Sequence, residues 1–155
     1  MNEIDIALKE RLIQTRKLTA ETAAEAEELA GKHSASFERA VLALHLLDYE
    51  DVGQSLATVL HMPYRALVDT IVPEEARTLV SPLCCARWKI FPAKFEPEYH
   101  TLTIAVHDPA QVPAMRGIFR FLMQPHVLAF SIAPEAEIEA ALDHYFGIKT
   151  QNPLV

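Results

Sequence analysis

Few side chains in this 155-residue chain have the types and spacing that chemistry requires. Cys84 and Cys85 are adjacent. Vicinal thiols do not readily both face one tetrahedral ion, and no CxxC pair or third cysteine accompanies them. They read as small apolar side chains rather than as a metal or redox pair. The histidines His33, His45, His61, His100, His107, His126 and His144 show no HxxxH or HExxH spacing, so they imply no metal site. Ser131, His126 and Asp108 supply the residue types of a nucleophile, base and orienting acid, but no serine sits in a GxSxG turn. Gly31, Gly53, Gly117 and Gly147 are scattered and build no GxxxxGK[ST] phosphate cradle. The charged residues are more organised. Glu21, Glu25, Glu27 and Glu28 lie along one helical stretch, and Arg116 and Arg120 are four apart on another. No catalytic residue, metal or cofactor is assigned. The candidates for contact with a partner are Glu21, Glu25, Glu28, Arg116 and Arg120.

Composition narrows the class further. With 50% hydrophobic and 23% charged residues the chain is an ordinary globular protein, long enough to need no disulfide staples. A formal net charge of −7 argues against a nucleic-acid polyanion as ligand, and the cations near Lys9, Arg11, Arg16 and Lys17 form no basic stripe. The N-terminus lacks the regions of a signal peptide, and no apolar run approaches a membrane span. A reduced cytoplasmic protein with no direct membrane insertion is expected.

The elements that must position these residues follow from periodicity and punctuation. In the front half, Ile4, Ala7, Leu8 and Leu12 share one helical face. Thr19 caps a second helix with a narrow face of Ala23, Ala26 and Ala30, which Gly31 is expected to end. Ser34 or Ser36 opens a third helix with Phe37, Ala40, Val41 and Leu44 inward, and Asp48 caps a fourth carrying Val52, Leu56, Val59 and Leu60. A faint repeat aligns Leu12-Ile13, Leu18-Thr19 and Ala23 with Val41-Leu42, Leu47-Asp48 and Val52. Two helical hairpins over 1–62 are predicted.

Beyond Met62-Pro63, Tyr64 to Val72 is a connector, Pro73-Glu74-Glu75 starts a short helix, and Ser81-Pro82 closes it. A strand from Lys89 crosses Pro92, which suits an edge or a bulge. After a turn at Glu96-Pro97-Glu98, Leu102, Ile104 and Val106 alternate with Thr101, Thr103 and Ala105, the pattern of a strand buried on one face. Asp108 and Pro109 cap the next helix, with Gln111 at capping-box spacing and Pro113 placing the regular helix near itself. Gln124-Pro125 breaks that helix, Val127 to Ala133 is a third strand, and Ile138, Ala141, Leu142, Tyr145 and Phe146 pattern a last helix that Gly147 stops. The class is α+β: helical hairpins, then an α-β-β-α-β-α unit over 63–147 with a three-stranded mixed sheet, then a loose tail over 148–155.

This order resembles the N-terminal domain family of the type II secretion and type IV pilus assembly ATPases, the MshEN-like domains found at the front of general secretory pathway protein E. The resemblance rests on Met62-Pro63-Tyr64, Pro73-Glu74-Glu75-Ala76, Ile90-Phe91-Pro92, Leu102 to Val106 leading into Asp108-Pro109, and Glu135 to Gly147. The joints at Lys17-Leu18-Thr19 and Leu46-Leu47-Asp48 fall where that family has paired helical units. The resemblance implies a domain that docks a motor onto a membrane-anchored partner. It also implies, in some members, cyclic di-GMP bound through two copies of RLGxxLxxxGxLxxxxLxxxLxxQ. Here the first copy has Lys9 and Arg16 at its glycines and Ala30 at its glutamine. The second has Ser36 at its arginine, Glu38 and His45 at its glycines, and Val59 at its glutamine. Those glycines let backbone approach a ligand closely, and Glu38 would set a carboxylate near a dianion.

The expectation is therefore a non-catalytic docking or adaptor domain without the ATPase core. Its partner would be the cytoplasmic domain of an inner-membrane secretion or pilus assembly protein, or an ATPase core. The alternative is a cyclic di-GMP sensor with altered contacts. A small enzyme has no constellation to support it.

Overall fold

Every helix of the front half starts on a side-chain cap. Asn2 accepts the Asp5 amide at 2.7 Å to open α1 (Glu3–Gln14), and Thr19 with Thr22 forms a reciprocal capping box at α2 (Ala20–His33). Ser36 opens α3 (Phe37–Ala43) and Asp48 opens α4 (Tyr49–Leu60). The structure, a computed structural model, describes residues 1–122 and 127–154. Gln124-Pro125 and His126 lie outside them. Two expectations need correcting. Gly31 does not end α2, which runs on to His33 and closes on Ser34 in the left-handed region. Leu44 is not inward but 39% exposed, because α3 has already ended at Ala43.

The two helix-joint-helix units share one backbone path. The amides of Thr15, Arg16 and Lys17 return to the carbonyls of Arg11, Ile13 and Leu12, and those of Leu44, His45 and Leu46 return to Ala40, Leu42 and Val41. Arg16 (φ 62°) and His45 (φ 55°) are both left-handed at the centre of their joints. The faint sequence repeat is thus a repeat of hydrogen bonds. Left-handed non-glycine residues also close α2 and α4, at Ser34 and His61, each a strained choice for an L-residue.

The second half holds α5 (Glu74–Arg77), α6 (Pro82–Trp88), β1 (Phe91–Glu96), a 3-10 turn at Pro97–Tyr99, β2 (Thr101–Val106), α7 (Gln111–Leu122), β3 (Val127–Ile132) and α8 (Glu135–Phe146). Helix α6 was not expected. Ser81-Pro82 opens it rather than merely closing α5: Ser81 Oγ accepts from the Cys84 amide at 3.1 Å and Pro82 occupies the first turn. Lys89 therefore ends a helix, with φ 51°, instead of starting a strand.

The sheet is mixed, in the order β1-β2-β3, with β1 and β2 antiparallel and β2 and β3 parallel. Pro92 lies on the edge strand, and the register shifts between Pro92 and Lys94, as a ring without an N–H demands. Strand β2 is buried from Leu102 through Val106 on both faces, not on one, because it is central and helices cover both sides. Helix α8 packs on β1 and β2, α4 reaches β3, and α7 buries Met115 and Phe119. Helix α7 begins at Gln111, ahead of Pro113. That proline falls in the first turn, where its missing N–H had no intrahelical partner to lose.

Gly53 lets the halves close. A Cβ there would fall inside the ring of Tyr64, whereas Gly31 has open space around it. Gly53→Ala should cost about 1–3 kcal/mol through overpacking. Gly31→Ala in the exposed last turn of α2, where the backbone is still helical, should gain about 0.5–1 kcal/mol. Urea unfolding of both variants checks this, and equal effects would remove the Tyr64 contact as the cause.

Candidate functional site

The structure gathers its buried charges where α3, α6 and α8 meet. Arg39, 5% exposed, donates from Nη1 to Glu139 Oε2 at 3.0 Å and from Nη2 to Glu139 Oε1, the bidentate pairing that a planar guanidinium favours. Its Nη2 also lies 3.0 Å from Glu135 Oε1. Lys89, turned inward by the left-handed end of α6, reaches Glu135 at 2.8 Å and Glu139 at 3.2 Å. Thr150 donates to Glu139 at 2.9 Å, and His107 Nδ1 stands 3.8 Å from Glu135.

Glu38 completes the cluster from the α3 side. Helix α8 follows Pro134 and has no side-chain cap of its own, so its first amides need an acceptor from elsewhere. Glu38 Oε1 supplies it, taking the Glu135 amide at 2.7 Å. One residue of the helical half thus caps a helix of the other. Burial pushes the Glu38 carboxyl up to about 8; the Glu135 hydrogen bond and Arg39 oppose the rise, while the charges of Glu135 and Asp5 add to it. Burial also raises Asp5, against the hydrogen bond it accepts from the Phe37 amide. Glu135 and Glu139 go the other way. Burial pushes both up, but Lys89 and His107 at Glu135, and Arg39 and Thr150 at Glu139, outweigh it and hold both carboxyls below the ordinary value.

A second polar clamp lies on another side of the same turn of α8. Glu137, fully buried, accepts the Tyr64 hydroxyl at 2.9 Å and the Leu67 and Val68 amides at 2.7 and 3.4 Å. Tyr145 Oη accepts the Val72 amide at 3.0 Å. The connector is therefore held by α8 side chains.

The second joint of the front half is concave. A groove of about 320 Å³ at the second joint is lined by Leu42, His45, Leu47, Asp48, Tyr49 and Asp69. Beside the first joint, Lys17 Nζ meets Asp51 Oδ1 at 2.6 Å, which ties that joint to α4.

The candidates named from sequence do not converge on one place. Glu21, Glu25 and Glu28 are exposed on α2, and Glu27 meets Lys9 at 2.6 Å. Arg116 stacks over Phe130 at 5.0 Å, and Arg120 is exposed four residues on. Asp108 Oδ1 accepts the Ala110 amide at 2.9 Å while Gln111 Oε1 accepts from His107 and Asp108, with Pro109 between them at the head of α7. Cys85 is buried, and burial with the neighbouring Cys84 pushes its thiol up to about 12, away from thiolate reactivity. Ser131 is buried and its Oγ has no hydrogen-bond partner. Among the described residues no three His, Cys, Asp or Glu side chains gather to hold a metal, and no helix is long and apolar enough to cross a membrane. Asp5, Arg39, Glu137 and Glu139 were missed by sequence reasoning, which named Glu38 only as a substituted motif glycine. The available signal was at Glu38-Arg39, two charges inside a seven-residue helix that has little outer face.

A front half of paired helical joints on a small mixed sheet is the architecture of one domain class. Residues 60–152 match the model of the MshEN domain, and the protein belongs to that family, the N-terminal domains of the type II secretion and type IV pilus assembly ATPases. The solved structure of MshE with cyclic di-GMP is similar, with a TM-score of 0.59 and 21% identity over 90% of this chain and 98% of that one. The N-terminal domain of XpsE is also similar, with a TM-score of 0.58 and 17% identity over 95% of this chain and 99% of that one. At these identities the likeness is one of fold, and it extends into the helical half that the family match leaves out. No curated protein matches the chain.

The Glu38 carboxyl makes stability depend on pH in a stated direction. Its folded value lies above its unfolded one, so its contribution is complete below the ordinary carboxylate range and is lost as pH rises toward about 8. Glu135 and Glu139, held low, contribute above that range and lose their share as pH falls. Glu38→Gln keeps an acceptor for the Glu135 amide and removes the titration. Its stability relative to the natural protein should climb by on the order of 1.4 kcal/mol per pH unit up to about 8 and then level off. Denaturant melts at pH 6, 7 and 8.5 measure this, and parallel curves would refute it.

Proposed function

We propose that this chain is a non-catalytic docking module of a secretion or pilus motor. It meets the cytoplasmic domain of an inner-membrane assembly protein, or an ATPase core, and is held peripherally at the inner membrane through that partner. Membership of the family supports the setting. The observation that carries docking over ligand sensing is Glu38. It stands where the family's dinucleotide motif has a glycine, and here it is 7% exposed and committed to the α8 amide. Its carboxyl fills space a ligand would need, and freeing it would strip the α8 amide of its acceptor. The ion pairs between α3 and α8 also make the two halves one body, which favours recognition by a preformed surface.

The test is direct. Purified protein is titrated against the cytoplasmic domains of the inner-membrane secretion and pilus components of the same cell. One of them should form a saturable complex burying an interface of standard size, about 1,600 Å² in total. Failure of every component to bind overturns the reading.

A second reading has its own support. MshE was solved with cyclic di-GMP, and the joints at Arg16 and His45 keep the left-handed backbone that the motif's glycines would adopt. Calorimetry with cyclic di-GMP separates the two. We expect no heat of binding, and saturable micromolar binding would replace the docking module with a sensor that has altered contacts.

A further inference from the structure

The outer face between α6 and α7 differs from the rest of the surface. A groove of about 430 Å³ runs between the helices, lined by Leu83, Cys84, Arg87, Trp88 and Ile118. Leu83 is 80% exposed, an unusual state for a leucine beside a half-buried tryptophan. On α7 the exposed Ala114 and Gly117 keep that flank low, and a Cβ on Gly117 would meet nothing within 4 Å. A partner backbone can therefore come close.

Charge is segregated in the same place. The chain carries 21 acidic and 14 basic side chains, yet α6 and α7 hold Arg87, Arg116 and Arg120 and no aspartate or glutamate. Every other helix carries at least one acid. Arg87 stacks at 5.8 Å over Trp88 on the groove wall, and Arg116 over Phe130 on the far flank of α7. An apolar trough with Arg87 on its wall thus lies between two helices that carry no acid.

We infer that the α6–α7 groove is the seat of an amphipathic helix from a partner protein, with its apolar face in the trough and carboxylates along its edges. The deduction rests on the docking function proposed above and assigns it a surface. A helix fits better than a strand, since two flanking helices leave a groove rather than an open sheet edge. The seven residues of α6 span about 10 Å, room for two apolar anchors one turn apart. Leu83 and Trp88 grip the anchors, and Arg87 on the groove wall selects an acidic edge over a basic one.

Trp88 is the single tryptophan and lines the groove, so its emission reports occupancy. The probe is a synthetic helical peptide of about twenty residues, long enough to hold a helix, with leucines at i, i+3, i+4 and i+7 and glutamates beside them. A second peptide carries lysines in place of the glutamates. The glutamate peptide should shift Trp88 emission to the blue with saturation and bind at least tenfold more tightly than the lysine peptide. Leu83→Asp and Arg87→Glu should each weaken it about tenfold while the far-UV spectrum and melting temperature stay the same. Absence of a Trp88 response, an equal response to both peptides, or a response that Leu83→Asp leaves intact would overturn the assignment. So would Trp88 emission that tracks the protein's own concentration alongside a dimer mass, since a second copy would then be the occupant. If a secretion component binds the natural protein and Leu83→Asp equally well, the groove is wrong while the docking function stands. If no component binds at all, the docking function itself falls.

Discussion

Burying the Arg39 guanidinium between the helical half and the sheet half is the constraint that the rest of the structure answers. A guanidinium does not lose its proton, so its charge must be matched where it sits. Glu139 meets it with both oxygens, Glu135 adds a third contact, and Lys89 is bent inward to balance the two carboxylates. Two cations then face two anions, and Glu38, left without a further cation, keeps its proton. Such a cluster contributes little net stability over a well-packed apolar contact, because desolvation cancels much of the attraction. It acts on geometry instead. An apolar seam between α3 and α8 could slide, whereas a bidentate pair with a carboxylate cap on the next turn admits one registration.

Helix α8 distributes that registration. Its apolar face of Ile138, Ala141 and Leu142 sits on the sheet, while Glu135 and Glu139 hold α3. Beyond the single bridge from Tyr64 to Ile132, Glu137 and Tyr145 hold the stretch to Val72 by accepting its Leu67, Val68 and Val72 amides. The Tyr64 hydroxyl bonded to Glu137 pins a ring that lies against Gly53 of α4. Sheet, connector and helical half therefore share one helix as their common reference.

Much of this frame was legible from the sequence. Caps at Thr19, Ser36 and Asp48, the bulge-prone Pro92, the parallel crossover into β3 and the apolar face of α8 all follow local rules that the tertiary structure does not override. The misses share a physical cause. The acids of α8 went unassigned, because periodicity treats every charge as solvent-facing and cannot see Arg39 arriving at Glu135 and Glu139 or Tyr64 at Glu137. Ser81-Pro82 read as a stop because its start signal opens only seven residues, too few for a period to show. Strand β2 alternates apolar residues with threonine and alanine, small enough to be buried on the second face, so alternation did not report its central place.

The joints separate two requirements that glycine usually meets together. A left-handed residue lets the chain turn from one helix into the next, and the absence of a side chain lets something else approach the turn. Arg16 and His45 keep the first property and give up the second, since both joints return the same three amides to the same relative carbonyls. The path of the backbone therefore survives with a side chain on each turn. Glu38, about two turns before His45 and helical itself, supplies the acceptor that α8 lacks. Backbone path and side-chain identity at the joints are thus separable: the same turn forms whether or not its left-handed residue is a glycine.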